Sequence, residues 1–394
     1  YYEQSMSIIK HPSNRRAFLG TTLATSVSAF ATPQLLAADG IKIEVTEQKV
    51  ISLQKEKYHG WPTLAQRKNG QLLLVCSGGR ETHVCPFGRV ELMRSNDGGA
   101  TWSYSQVIMD TPIDDRDAGI LETSEGTLLA TTFTSLAYEP ILVKANETQD
   151  WDAARMARWN GVHNQLNETQ RNNLLGNWML RSGNGGKTWS RPYRCLVHSP
   201  HGPIELKDGT LFYAGKQLWT EEPKIGAAVS TDDGRTWEMH STISARDGDD
   251  YRKYHELHAV ETKSGKIIAH IRNHNSKSAG ETLQCESTDG GRTWSPVHSI
   301  GVWGFPSHLL RLDDGRLLMS YGYRNTPFGN QVRISEDEGE TWSAPITLSD
   351  DAVGYDLGYP STIQRADGMF VTVWYEKLAS SEFAQLRQAT WKLL

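Results

Sequence analysis

Ser287-Thr288-Asp289-Gly290-Gly291-Arg292-Thr293-Trp294 decides the fold, because the chain says it again and again. Copies stand at 95–102 (SNDGGATW), 182–189 (SGNGGKTW), 230–237 (STDDGRTW) and 335–342 (SEDEGETW), five in all. Each reads as a hairpin turn. The Asp, Asp97 in the first copy, accepts hydrogen bonds from turn amides. Gly99 takes a backbone conformation that side chains resist. Trp102 opens the next strand and carries a large ring to bury. Asn184 replaces the Asp in the second copy and makes similar bonds.

Between these turns runs a second repeat: a strand, a glycine turn, then an apolar strand. Its turn glycines are Gly70, Gly126, Gly209, Gly265, Gly315 and Gly368, 50 to 83 residues apart, followed by runs such as Leu72–Cys76, Ile267–Ile271 and Phe370–Trp374. Apolar strands bounded by glycine turns signify antiparallel sheets. Six such units predict six four-stranded blades packed radially, which protects their edges. The predicted fold class is therefore all-β, a six-bladed β-propeller over residues 39–394. The sixth unit has no Asp turn, so Ile43–Leu53 is expected to pair with Ala384–Trp391 and close the ring. The widest gap holds a polar helical insertion at about 145–175, centred on Trp151–Asn173, expected to form a lid or side wall.

The repeated turn is the Asp box, and over essentially the whole chain after residue 38 the sequence resembles the sialidase superfamily. The resemblance implies a central pocket lined by the loops that lead into the innermost strands. Those loops are Tyr58-His59-Gly60-Trp61-Pro62, Asp115-Arg116-Asp117-Ala118-Gly119, Pro200-His201-Gly202-Pro203, His255-Glu256-Leu257-His258, Phe305-Pro306-Ser307-His308 and Asp356-Leu357-Gly358-Tyr359-Pro360-Ser361. Two matches are residue-specific. Tyr359 looks like the family's catalytic tyrosine, and Glu256 with Arg272 looks like its glutamate partner and one carboxylate-binding arginine. Arg324 is the candidate for a second arginine of that clamp, and Arg80 matches a further one. A phenol titrates near pH 10, so a nucleophilic Tyr needs a neighbouring carboxylate to take its proton. Paired guanidiniums suit a substrate carboxylate.

The sequence departs from the family twice. Gly60-Trp61-Pro62 stands where the family has Arg-Ile-Pro, and the loop 77–86 lacks the family's acid/base Asp. Glu81, His83 and Asp117 are the candidates for that acid. His59, Trp61, Arg116, His201, His258 and His308 complete the expected substrate-binding set, with the Trp61 ring expected to stack on a sugar face. The many imidazoles lie on different blades in no local ligand motif, so neither a metal nor another cofactor is expected.

The implied function is an exported glycoside hydrolase acting on a terminal acidic sugar, sialic acid or a uronic acid, with a glycan as its partner. Two alternatives stay open. One is a lyase on uronate-containing polysaccharide, to which a His and Tyr centre is similar; the other is a non-catalytic carbohydrate-binding propeller.

Composition fits this. The chain of 394 residues has a formal charge of −5, and residues 1–38 hold Lys10, Arg15 and Arg16 against Glu3, so the rest carries −7. An acidic body argues against binding nucleic acid. Ser13-Asn14-Arg15-Arg16-Ala17-Phe18-Leu19-Gly20 resembles a twin-arginine export signal, followed by an apolar stretch to Leu36 and small residues at Ala37 and Ala38. Residues 1–38 are thus expected to direct bacterial export to the periplasm or beyond. No other stretch approaches a membrane span. Cys76, Cys195 and Cys285 fall in strand-like runs and read as buried thiols, and with Cys85 show no zinc spacing.

Overall fold

The computed structural model describes residues 40–394; the expected export signal lies outside the described residues. Six antiparallel four-stranded sheets make the ring. Their innermost strands are Tyr58–Gln66, Asp114–Glu122, Ile204–Glu205, Tyr254–Glu261, Ser307–Arg311 and Leu357–Gln364. The fold is the expected β-propeller. Ile43–Val50 pairs antiparallel with Gln385–Leu393, from Ile43 opposite Leu393 to Val50 opposite Arg387, as the outer strand of the sixth blade. The ring therefore closes as the missing sixth turn predicts.

Each Asp box joins the third and fourth strands of its blade, and its hydrogen bonds are local. Asp97 Oδ1 accepts from Thr101 N at 2.9 Å, Asp97 Oδ2 from Thr101 Oγ1 at 2.6 Å, and Gly99 N donates to Ser95 Oγ at 2.8 Å. The same bonds recur around Asp232, Asp289 and Asp337. The box tryptophans work between blades. Trp102, Trp294 and Trp342 donate from Nε1 to Gln388, Ser241 and Gln284 of the preceding blade. Between neighbouring blades the second strands interleave apolar side chains, as where Leu72, Leu74 and Cys76 meet Val371, Val373 and Tyr375. Burying each Leu or Val there contributes about 1.5–3 kcal/mol. The four cysteines, all described, are free and buried.

The helical segment begins earlier than about residue 145. Helices occupy Glu139–Thr148, Ala153–His163 and Glu168–Leu174. Pro140 is pre-set for a first helical turn, and Leu142 and Ala145 give that first helix a buried face. Trp159, Tyr138 and Leu142 pack with Val84, Cys85 and Ile113, so the insertion is a side wall against the first-blade loop. Among the described residues no helix is long and apolar enough to cross a membrane.

Candidate active site

One position, nine residues before the turn glycine of each blade, recurs at the centre of the ring: Trp61, Asp117, Pro200, Glu256, Pro306 and Tyr359. Register shifts between Gly60 and Thr63, Arg116 and Gly119, Tyr254 and Leu257, and Gly358 and Ser361 bracket four of them. Trp61, Asp117 and Tyr359 take left-handed φ values of 53°, 37° and 53° there. Side chains resist that conformation, at roughly 1–3 kcal/mol each, and it aims them out of the normal alternation of a strand.

Tyr359 and Glu256 meet. The phenol donates to Glu256 Oε1 at 2.6 Å, and Arg272 Nη1 lies 2.9 Å from the same oxygen and 3.0 Å from the phenol oxygen. Burial pushes the Glu256 carboxyl up, but Arg272 and the phenol's hydrogen bond override it and hold the group well below the usual carboxylate range. Burial, reinforced by the Glu256 charge, pushes the Tyr359 phenol well up. At rest the pair is therefore a neutral phenol against an ionised carboxylate. Arg324 completes this side: its guanidinium lies 5.9 Å from the Tyr359 ring and 5.4 Å from Phe305, and Arg272 sits 4.5 Å over the same Phe305. Arg324 Nη2 donates to Leu357 O, which aims it.

Asp117 is buried beside this group, with Oδ1 lacking a partner. Burial, opposed by Arg116 and reinforced by Glu256, pushes its carboxyl up to about 7. Arg116 lies 4.5 Å over the Trp61 ring, and its Nε has no partner.

Other expected residues take different places. Trp61 is 1% exposed, with Arg80 at 4.8 Å as well as Arg116 over its ring. No ring face is left open to a sugar, and the indole instead orders the two cations. Arg80 is wholly buried; it binds Asp114 bidentately at 2.6 and 2.9 Å, Ser77 Oγ at 2.8 Å and His83 O at 2.8 Å. It acts as a strut behind the pocket. Arg80→Met should destabilise the protein by about 3–5 kcal/mol by leaving buried Asp114 without its bidentate partner, Arg116 at 3.9 Å being its remaining cation. Urea unfolding checks this; an unchanged midpoint would show that the pair bears no weight.

Glu81 is tied to the helical wall, accepting from Arg158 Nε at 2.7 Å and Trp159 Nε1 at 3.0 Å. His59 turns to the other face of its strand, because neighbours on a strand alternate, and its Nε2 lies 3.9 Å from Glu91. His201, His258 and His308 converge on the ring axis, with ring centroids 4.6 to 5.3 Å apart. Leu309 N donates to His258 Nδ1 and Thr362 N approaches His308 Nδ1, so both rings carry their proton on Nε2 and present donors. Among the described residues no cluster of three or more His, Cys, Asp or Glu is placed to hold a metal ion.

His83 brings in partners that sequence reasoning missed. Its Nδ1 lies 2.9 Å from Asp356 Oδ1 and 2.9 Å from Tyr58 OH. Tyr58 donates to Asp356, and Tyr375 OH donates to Asp356 Oδ1 at 3.0 Å. Tyr58 also fills the space beside Gly60: a Cβ on Gly60 would stand 3.1 Å from its ring. The sequence signal was available at Gly60, whose missing side chain makes room for a neighbour.

The BNR repeat-like domain family matches residues 162–372. A sialidase of Bacteroides fragilis (strain YCH46) is 25% identical over 319 residues, 73% of this chain and 54% of that protein. A sialidase of Micromonospora viridifaciens is 25% identical over 244 residues, 51% of this chain and 35% of that protein. The match thus spans about half or less of the relatives' own length. Among solved structures, a Dyadobacter fermentans protein of unknown function superposes with a TM-score of 0.73 at 21% identity, over 89% of this chain and 99% of that one. The NanB sialidase of Streptococcus pneumoniae superposes with a TM-score of 0.60 at 16% identity, over 89% and 70%.

Proposed function

The chain belongs to the BNR repeat-like domain family, a propeller of the sialidase superfamily, and on that footing we propose that it is an exported glycoside hydrolase acting on a terminal acidic sugar, sialic acid or a uronic acid. The observation that carries this reading is the bonded set Tyr359, Glu256 and Arg272. Tyr359 attacks the anomeric carbon while its proton passes to Glu256. A phenol does this without bringing a negative charge against an anionic sugar.

Arg272 and Arg324 take the sugar's carboxylate, and Arg116 adds positive charge on the first-blade side, where Gly60 replaces an arginine. Arg272 has a second effect. While it faces Glu256 alone it makes that carboxylate a weak base. A substrate carboxylate that shares Arg272 loosens this hold, so Glu256 becomes more basic when substrate is bound. Asp117, whose carboxyl is pushed up to about 7, donates a hydrogen bond to a sugar hydroxyl at the pocket floor in its protonated form.

A lyase reading is favoured by one observation, the 2.9 Å approach of Tyr58 to His83. Tyr58 is buried and bonded to Asp356, however, which takes its hydroxyl out of reach of a substrate. Aryl sialosides, aryl uronides and neutral aryl glycosides, with unsaturated-product absorbance followed in parallel on uronate polysaccharide, test the proposal. Release of a saturated acidic sugar is expected. A new C=C absorbance would move the protein to the lyases, and binding without turnover would make it a recognition module.

A further inference from the structure

We propose that His83, held at Nδ1 by Asp356, is the proton donor to the leaving-group oxygen and the base for the incoming water. This rests on the Tyr359–Glu256 reading above. In an exo-acting site the leaving group is the remainder of the glycan, so it must face the open side of the pocket, and its proton donor must stand there too. Asp117 is 6% exposed and feels Glu256 and Arg272, at the floor. The Glu81 oxygens are taken by Arg158 and Trp159. The His83 side chain is 36% exposed.

The loop that carries His83 is fixed from three sides. Arg80 donates to His83 O at 2.8 Å, Glu81 is pinned to the helical wall, and Asp356 orients the ring. With Nδ1 engaged, Nε2 is the nitrogen left for the substrate. Trp61 packs edge-on against His83 at 5.0 Å and against Tyr359 at 6.4 Å, so one indole sets the position of both reacting groups.

In the first step Tyr359 Oη bonds to the anomeric carbon and the glycosidic C–O bond breaks. The leaving oxygen takes the Nε2 proton, and Glu256 takes the phenol proton. In the second step water bonds to the anomeric carbon, its proton goes to Nε2, and the Tyr359 bond breaks as Glu256 returns the proton. Both groups regain their starting states.

The groups facing His83 are Tyr58 and Trp61 from the first blade's inner strand, Arg80 from its second strand, Arg116 from the second blade, and Asp356 from the sixth, with Tyr375 bonded to that carboxylate behind it. Burial lowers the His83 pKa below its usual 6.5; Asp356 opposes this, and Arg116 and Arg80 add to it. The first step needs the protonated ring. Hence kcat/KM falls as pH rises through a value below 6.5, and Asp356→Asn moves that limb to more acidic pH.

The test compares wild type, His83→Ala, His83→Gln and Asp356→Asn on nitrophenyl and methyl glycosides of glucuronic and sialic acid, with thermal melts confirming the fold. Both His83 variants should lose about 10²–10⁴-fold on methyl glycosides and far less on nitrophenyl glycosides, which leave without a proton. Azide should restore turnover of the nitrophenyl substrate and yield a glycosyl azide. Equal losses on both aglycones, or a limb that Asp356→Asn leaves in place, would overturn the assignment. A fluorinated sugar that labels Tyr359 in wild type separates the two proposals. Labelling with no aglycone dependence in the His83 variants sinks only the role of His83. Absence of both labelling and glycoside turnover sinks the nucleophile reading and this inference with it.

Discussion

Tyr359→Phe is expected to lower turnover by on the order of 10³-fold or more while the propeller stays folded. The ring that packs against Trp61 and Tyr375 is retained, and only the hydroxyl bonded to Glu256 and Arg272 is lost. Glu256 keeps its ion pair with Arg272, so the loss in stability should be about 1 kcal/mol. Removing a nucleophile takes away the covalent step, and nothing nearby replaces it: Tyr375 is buried and bonded to Asp356. Steady-state rates on an aryl glycoside, together with a melting curve, decide the matter. A variant that keeps wild-type turnover would exclude a covalent intermediate at this residue.

Arg272→Ala should cost about 10²–10⁴-fold in kcat/KM on acidic glycosides, from two charge-assisted bonds worth about 1.5–3 kcal/mol each. It should also change the pH profile in a defined direction. Burial alone raises the Glu256 pKa, and Arg272 is the largest influence that lowers it. Without Arg272 the carboxylate protonates at higher pH, so the acidic limb of the rate profile moves up. Neutral glycosides gain nothing from the arginine in binding and should lose much less. Equal losses on acidic and neutral glycosides, with the limb in its wild-type place, would show that Arg272 serves the scaffold and not the substrate.

Sequence patterns carried the fold because they are local. The bonds of an Asp box join residues two and four apart, so Ser95, Asp97 and Thr101 announce the turn without any knowledge of the rest. The closing strand was legible for a related reason, since a unit lacking its fourth strand leaves one place for Ile43–Val50. Tyr359, Glu256 and Arg272 stood out through a family motif, and they lie together.

What stayed hidden depends on contacts between distant parts of the chain. His83 and Asp356 are 273 residues apart and meet because the first and last blades adjoin. The expectation of a sugar stacked on Trp61 could not anticipate Arg80 and Arg116 over that ring. Likewise Glu81 looked like an acid until the helical wall engaged both its oxygens, and His59 lost its place in the pocket to strand alternation.

The single corner position that holds Trp61, Asp117, Pro200, Glu256, Pro306 and Tyr359 has a consequence for how such a protein diversifies. Duplicated units begin with the same residue at that corner, and each copy is then free to drift separately. In three blades the bend at Trp61, Asp117 and Tyr359 lies in the backbone, so a new side chain there inherits an inward aim without rebuilding the blade. A handful of point changes at equivalent corners thus rewrites the chemistry at the hub, while the rim turns that hold the wheel together are left untouched. For an engineer, those six positions form a compact library that spans two aromatics, two carboxylates and two prolines.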